Sequence, residues 1–254
     1  MKYACALALL LAPLLAVAAT TAPPAGELPP YLQGAVADKS RPAADTERDA
    51  ERRPAETMAF AGVKPGSTIV ELMPGGGYFT RLLSKAAGPA GHVYAVVPTS
   101  ASADAPDRSL PIKAIAAEPG YGNLTLQVQP IRALQLPSAV DLVWTSNNYH
   151  DVHNVAGIDL LAFNRDILAA LKPGGVYLVI DHQAAADAPD DVTSTLHRIR
   201  AETVKREALA AGFLLDDEST LLHNADDNHA LKVFDPAIRG RTDQFVLRFK
   251  KPMP

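Results

Sequence analysis

From residue 67 onward, short apolar runs alternate with segments whose apolar residues recur every three or four positions. Ser67-Thr68-Ile69-Val70-Glu71-Leu72 is an apolar run introduced by Lys64-Pro65-Gly66, and it predicts a strand. After a glycine run, Phe79, Leu82, Leu83 and Ala86 share one face of a helix. His92 to Val97 predicts a second strand, alternating Leu124, Leu126 and Val128 a third, and Val140 to Thr145 a fourth. Leu160, Phe163, Ile167 and Leu171 line a helix that Lys172-Pro173-Gly174-Gly175 ends. Val176 to Ile180 then reads as a strand buried on both faces. A helix with Val204, Ala208 and Ala211 stops at Gly212, and Phe213 to Leu222 and Gln244 to Phe249 complete the set. Such alternation specifies an α/β fold: a mostly parallel seven-stranded sheet with helices on both faces. Upstream, Pro54 opens a helix that runs through Met58 and Phe60 to Gly62. Asp45 to Arg53 mixes both charge signs and reads as a solvated helix surface. The stretch between Val97 and Asn123 is broken by prolines and glycines and is expected to be irregular.

The N-terminus departs from this pattern. Lys2 precedes an apolar run from Cys5 to Val17, and Ala16-Val17-Ala18 offers a small-x-small cleavage site. Residues 1–18 therefore read as a secretory signal peptide, and the protein as exported and periplasmic. The apolar run is shorter than the ~20 residues of a spanning helix, so no membrane span is expected after cleavage. Residues 19–43 have the Pro/Ala-rich composition of a linker, which leaves 44–254 as the folded domain. The lone cysteine, Cys5, falls inside the signal, so disulfide and thiol chemistry are excluded from the mature chain. A net charge of −4 without like-charge blocks points away from nucleic acid and anionic membranes as partners.

The strongest chemical signal is Glu71-Leu72-Met73-Pro74-Gly75-Gly76-Gly77, set between a strand and a helix. Glycines there let the backbone turn sharply and approach a ligand, beside the free N–H groups of a helix start. A nicotinamide dinucleotide fits poorly. Gly75-Gly76-Gly77-Tyr78-Phe79-Thr80 lacks the third glycine of the fingerprint, and no acid ends the second strand. No Gly-Lys-Ser/Thr follows, which excludes a mononucleotide P-loop.

The stretch from Ile69 to Leu83 resembles the first motif of the class I S-adenosylmethionine (SAM) dependent methyltransferases. Gly91 to Val96 is similar to their second strand, Leu171 to His182 to the turn and strand before their substrate pocket, and Ala210 to Phe213 to their last helix-strand junction. The match spans roughly residues 45 to 251. It is most similar to a bacterial group of exported methyltransferases. The resemblance implies a Rossmann-like class I methyltransferase fold and SAM as cofactor. It implies a cofactor site at Glu71, Met73, Pro74, Gly75, Gly76, Gly77, Val97 and Pro98, with Glu71 at the amino-acid end. The chain departs from the family where Met73 holds the first glycine position, Val97 the ribose-binding acid and Pro130 the adenine-binding acid. Each lost charge-assisted hydrogen bond forfeits about 1.5–3 kcal/mol. Two such losses weaken binding by a factor on the order of a hundred or more unless Thr99 or Ser100 compensates.

After the fourth predicted strand comes Ser146-Asn147-Asn148-Tyr149-His150-Asp151-Val152-His153, and after the fifth Asp181-His182. Both loops belong at the carboxyl ends of the strands, beside the glycine turn. His150, His153 and His182 are candidate bases, Asp151 and Asp181 candidate orienting groups, and Asn147, Asn148 and Tyr149 candidate acceptor contacts. His150-x-x-His153 with a nearby carboxylate is a competing use, suited to zinc or iron, although the spacing matches no stronger metal signature. His197, His223 and His229 read as surface or packing residues. Three functions follow: a methyltransferase for a small or envelope-associated acceptor, a non-catalytic binding protein with a degenerate SAM site, and a metal-dependent enzyme using His150 and His153. The oligomeric state is left open.

Overall fold

The structure, a computed structural model, describes residues 27–100, 102 and 104–254. The expected signal peptide lies outside these residues. Four short helices, α1 (Pro30–Val36), α2 (Ala43–Thr46), α3 (Asp49–Arg52) and α4 (Pro54–Ala61), come first. β1 (Thr68–Leu72), α5 (Tyr78–Ala87), β2 (His92–Pro98), α6 (Leu110–Ala117) and β3 (Leu124–Gln129) follow. Next are β4 (Val140–Ser146), α7 (Tyr149–His153), α8 (Leu160–Ala170) and β5 (Leu171–His182). The chain ends with α9 (Val192–Thr195), α10 (Ala201–Ala211), β6 (Leu214–Ser219) and β7 (Gln244–Lys250).

The seven strands form one sheet in the order β3-β2-β1-β4-β5-β7-β6. β1 through β5 run parallel, and β7 inserts antiparallel between β5 and β6. The chain steps outward from β1 to β3 and then returns to the other side of β1. That reversal opens a crevice at the carboxyl ends of β1 and β4, the place where open α/β sheets bind ligands.

Strand alternation divides the core in two. Ile69, Trp144, Leu178 and Ile180 face a layer holding Met58, Leu82, Leu83, Ile112 and Ile115. Val70, Val143, Tyr177 and Val179 face the opposite layer, with Val152, Phe163, Ile167, Val204 and Ala208. The mostly parallel sheet and the helices on both faces agree with the sequence pattern. At the exposed edge, Asp216, Asp217 and Glu218 of β6 supply the charge that discourages further strand pairing.

Two expectations change. The described part of the expected linker is not a linker: α1 packs into the core through fully buried Leu32 and nearly buried Ala35. Tyr31 also donates its hydroxyl to Val63 O at 3.0 Å. A seven-residue helix of about two turns, opened by prolines, is too short to show periodicity above its composition. The segment after Val97 is not irregular throughout, because α6 buries Ile112 and Ile115. Its Pro111 sits in the first helical turn, where a missing N–H costs nothing. Among the described residues, no helix is long and apolar enough to cross a membrane.

Candidate functional site

A cleft of about 990 Å³ opens at the topological switch point. Its floor is the turn from Met73 to Gly77, where Met73 (φ +51°), Gly75 (+58°) and Gly77 (+87°) all take left-handed conformations. Met73 thus keeps the backbone shape that glycine would adopt freely, at a cost of about 1–2 kcal/mol. Neighbouring strands hold the turn in place. Met73 N donates to Val96 O at 2.8 Å. Asn148 Nδ2 donates to Leu72 O at 3.1 Å and Met73 O at 3.0 Å. Gly77 is close-packed from above, and a methyl group there would collide with Ile115 Cδ1.

All eight positions expected to hold the cofactor cluster here, and seven of them (Glu71, Met73, Pro74, Gly75, Gly76, Val97 and Pro98) line the cleft. Gly77 instead caps α5 directly beneath the turn. Thr99 and Ser100 also line the cleft, as does Pro130. Glu71 is buried and accepts a 2.6 Å hydrogen bond from Thr80 Oγ1. Burial pushes its pKa up to about 7, opposed by the Thr80 bond and by Arg52. Arg52 is itself pushed down to about 10, first by burial and then by Arg48.

Local sequence patterns missed the guanidinium groups. Arg48, Arg52, Arg108 and Arg132 line the cleft, with Asp45. Arg48 and Arg52 belong to the segment read as a solvated helix surface, and they stack toward the Tyr78 ring with centroid distances of 5.3 and 4.6 Å. Nothing in their spacing separates them from ordinary surface charge. Arg108 and Arg132 follow the carboxyl ends of β2 and β3, and the rule that such loops face the ligand marks them.

The residues expected around the acceptor split into three groups. Asn147 and Asp151 line the cleft, together with Ser146, Asn148 and Asn154. Asn147 has φ +59°, and its Oδ1 is a buried acceptor without a partner. Tyr149 is not a lining residue. Its buried hydroxyl donates to Glu207 Oε2 at 2.9 Å and accepts from Asn164 Nδ2 at 2.8 Å. Burial, reinforced by Tyr177 and Glu207, holds its pKa well above the phenol value. His150 and His182 also lie behind the wall, around Asp181. That carboxylate accepts from His150 N at 2.8 Å, from the His150 ring at Nδ1 at 2.7 Å and from His182 N at 2.7 Å. Burial works against the charged form of His150, but Asp181 outweighs it and holds the pKa above the ordinary imidazole value. Burial pushes His182 down to about 4, and its Nδ1 bonds Thr242 Oγ1 at 2.7 Å.

The His150–His153 pairing is not formed. His153 turns to Glu207, with Nε2 3.0 Å from Oε2. Residues four apart on α7 share a face, so Tyr149 and His153 point together at α10. His197, expected as a packing residue, instead approaches His150 and Asp151. His223 and His229 bracket Asp243 at 2.9 and 2.8 Å.

The chain matches no protein-family model and no curated protein. Solved structures do match. A SAM-dependent methyltransferase from Aquifex aeolicus superposes with TM-score 0.60 at 16% identity, over 82% of this chain and 95% of that one. Fibrillarin from Aeropyrum pernix, solved with natively bound SAM, gives 0.51 at 18%, over 80% and 76%. The [4+2]-cyclase SpnF gives 0.59 at 18%, over 88% and 92%. The fold is thus the Rossmann-like one of the class I SAM-dependent methyltransferases, and at such identities the likeness speaks for the fold alone.

Proposed function

We propose that this chain is an exported, periplasmic SAM-dependent methyltransferase acting on a small or envelope-associated acceptor. The observation that carries the reading is the cleft above the left-handed Met73–Gly77 turn, with buried Glu71 behind it and room for a nucleoside-sized ligand. In this reading Glu71 and the orphan Asn147 Oδ1 meet the methionyl ammonium. Arg48 and Arg52 supply positive charge for its carboxylate. Val97 and Pro98 form an apolar wall for the nucleoside, with the Thr99 and Ser100 hydroxyls in place of the missing acids. Asp151 stands at the acceptor side. Methyl transfer is an in-line displacement, so positioning is the main demand on the protein.

Calorimetric titration with SAM and S-adenosylhomocysteine tests this. Saturable heat and a raised melting temperature are expected. Silence in both at millimolar ligand removes the reading. Val97→Asp returns a carboxylate to the ribose position and is expected to tighten SAM by about tenfold or more, the equivalent of one charged hydrogen bond.

A second reading keeps the cleft and drops SAM. It is supported by the neutral Val97 and Pro130, with Arg108 and Arg132 beside them. A non-catalytic binding protein for an anionic ligand fits that lining. In that case SAM gives no heat, and Val97→Asp does not restore binding.

A further inference from the structure

At the cleft wall, three side chains from two separate segments converge on one point. His150 and Asp151 come from α7, and His197 follows α9. One ligand atom of each, an imidazole nitrogen or a carboxylate oxygen, lies within 4.8 Å of the other two. Asp151 Oδ1 is 3.5 Å from His150 Nε2 and 3.5 Å from His197 Nδ1. A tetrahedral zinc ion with bonds of about 2.0–2.2 Å sets its ligands about 3.3–3.5 Å apart. Two of the three edges already have that length.

Three further observations single out this cluster. First, His150 Nδ1 is bound to Asp181 at 2.7 Å. Asp181 is fully buried and takes a backbone N–H donor on each oxygen, from His150 N and His182 N. With those donors in place Asp181 accepts from the ring, which sets the His150 proton on Nδ1, so the neutral imidazole carries its lone pair on Nε2, the nitrogen facing Asp151. A carboxylate that orients an imidazole in this way is the usual outer support of a metal-bound histidine. Second, His197 Nδ1 is buried without a hydrogen-bond partner. Third, His197 is held at φ +55°, a left-handed conformation that a histidine adopts at a cost. Arg198, next in the chain and fully buried, fixes that turn through Leu231 O, Gln183 O and Asp227.

We propose that His150 Nε2, Asp151 and His197 Nδ1 bind a divalent transition metal ion of the zinc class, with Asp181 as the outer carboxylate. Two imidazoles exclude magnesium and calcium, which take oxygen ligands. Three protein donors leave a fourth position for water or a ligand oxygen. Asp151 is half-exposed and also lines the cleft, which sets the ion at the cleft wall. The inference does not depend on the methyltransferase reading, since either site can bind without the other.

The test uses untagged protein stripped with chelator, dialysed against micromolar zinc and assayed by elemental analysis. Cobalt substitution, read by its visible absorption, is the second measurement. One ion per chain is expected, with zinc raising the melting temperature by mass action. His197→Ala and Asp151→Asn should abolish stoichiometric binding while keeping the wild-type circular dichroism. Asp181→Asn should weaken binding by about 10–100-fold. His153→Ala should bind as wild type, because His153 is held by Glu207. No bound zinc in the wild type, or undiminished zinc in both His197→Ala and Asp151→Asn, overturns the proposal.

Discussion

Glu71 and Gly77 show how much one position in the glycine turn can carry. Glu71 holds its proton more tightly in the fold than in the unfolded chain, with a pKa of about 7 against 4.5. The native state therefore loses stability as pH rises between those values, and the loss is complete above pH 7. A shift of that size corresponds to about 3 kcal/mol. Glu71→Gln keeps an acceptor for Thr80 and has no proton to lose. In melts between about pH 5 and pH 8 the wild type should fall relative to the variant, and parallel curves would show that burial of the carboxyl is not the source. Gly77→Ala should cost about 1–3 kcal/mol in urea unfolding, from its left-handed φ and the collision with Ile115. Gly76→Ala, which meets nothing within 4 Å, should change stability by less than about 0.5 kcal/mol. Equal effects at both glycines would count against the packing argument. The glycine run announced itself in the sequence. The reason for Gly77 did not, because Ile115 belongs to a segment whose prolines hid its helix.

Short helices account for most of the differences between expected and observed elements. α1 has seven residues, and about two turns carry too little periodicity to stand out from linker composition. Its energetic weight comes from burial, and Leu32→Ala should cost about 2–5 kcal/mol. A variant as stable as wild type would return this segment to the status of a linker. α7 shows the same limit with functional consequences. Read as a loop, residues 146–153 present every polar group to one cleft. Wound into a helix, they send Tyr149 and His153 to Glu207, His150 to Asp181 and Asp151 to the cleft. A five-residue helix distributes its side chains around a full turn. The longer elements, α5, α8 and α10, have enough turns for their apolar faces to be read directly.

Across the molecule, the turn that carries His197 is tied to the C-terminal region by a buried ion pair. Arg198 and Asp227 are both nearly inaccessible and lie 2.9 Å apart. Arg198→Leu leaves Asp227 buried without its partner and should cost about 3–5 kcal/mol in denaturant unfolding. A loss below about 1 kcal/mol would mean that water replaces the guanidinium and that the pair does not anchor the turn. The α/β class, the order of the strands and longer helices and the glycine turn after β1 were all readable along the chain. Each depends on local periodicity or on the backbone freedom of glycine, which neighbouring residues express without the rest of the fold. The company kept by each strand-end side chain was not readable. His150 meets Asp181 from 31 residues away, and His197 reaches Asp151 only because α9 packs beside α7. Such meetings follow from strand order, register and the reversal between β1 and β4, and no local pattern of hydrophobic and polar residues encodes them.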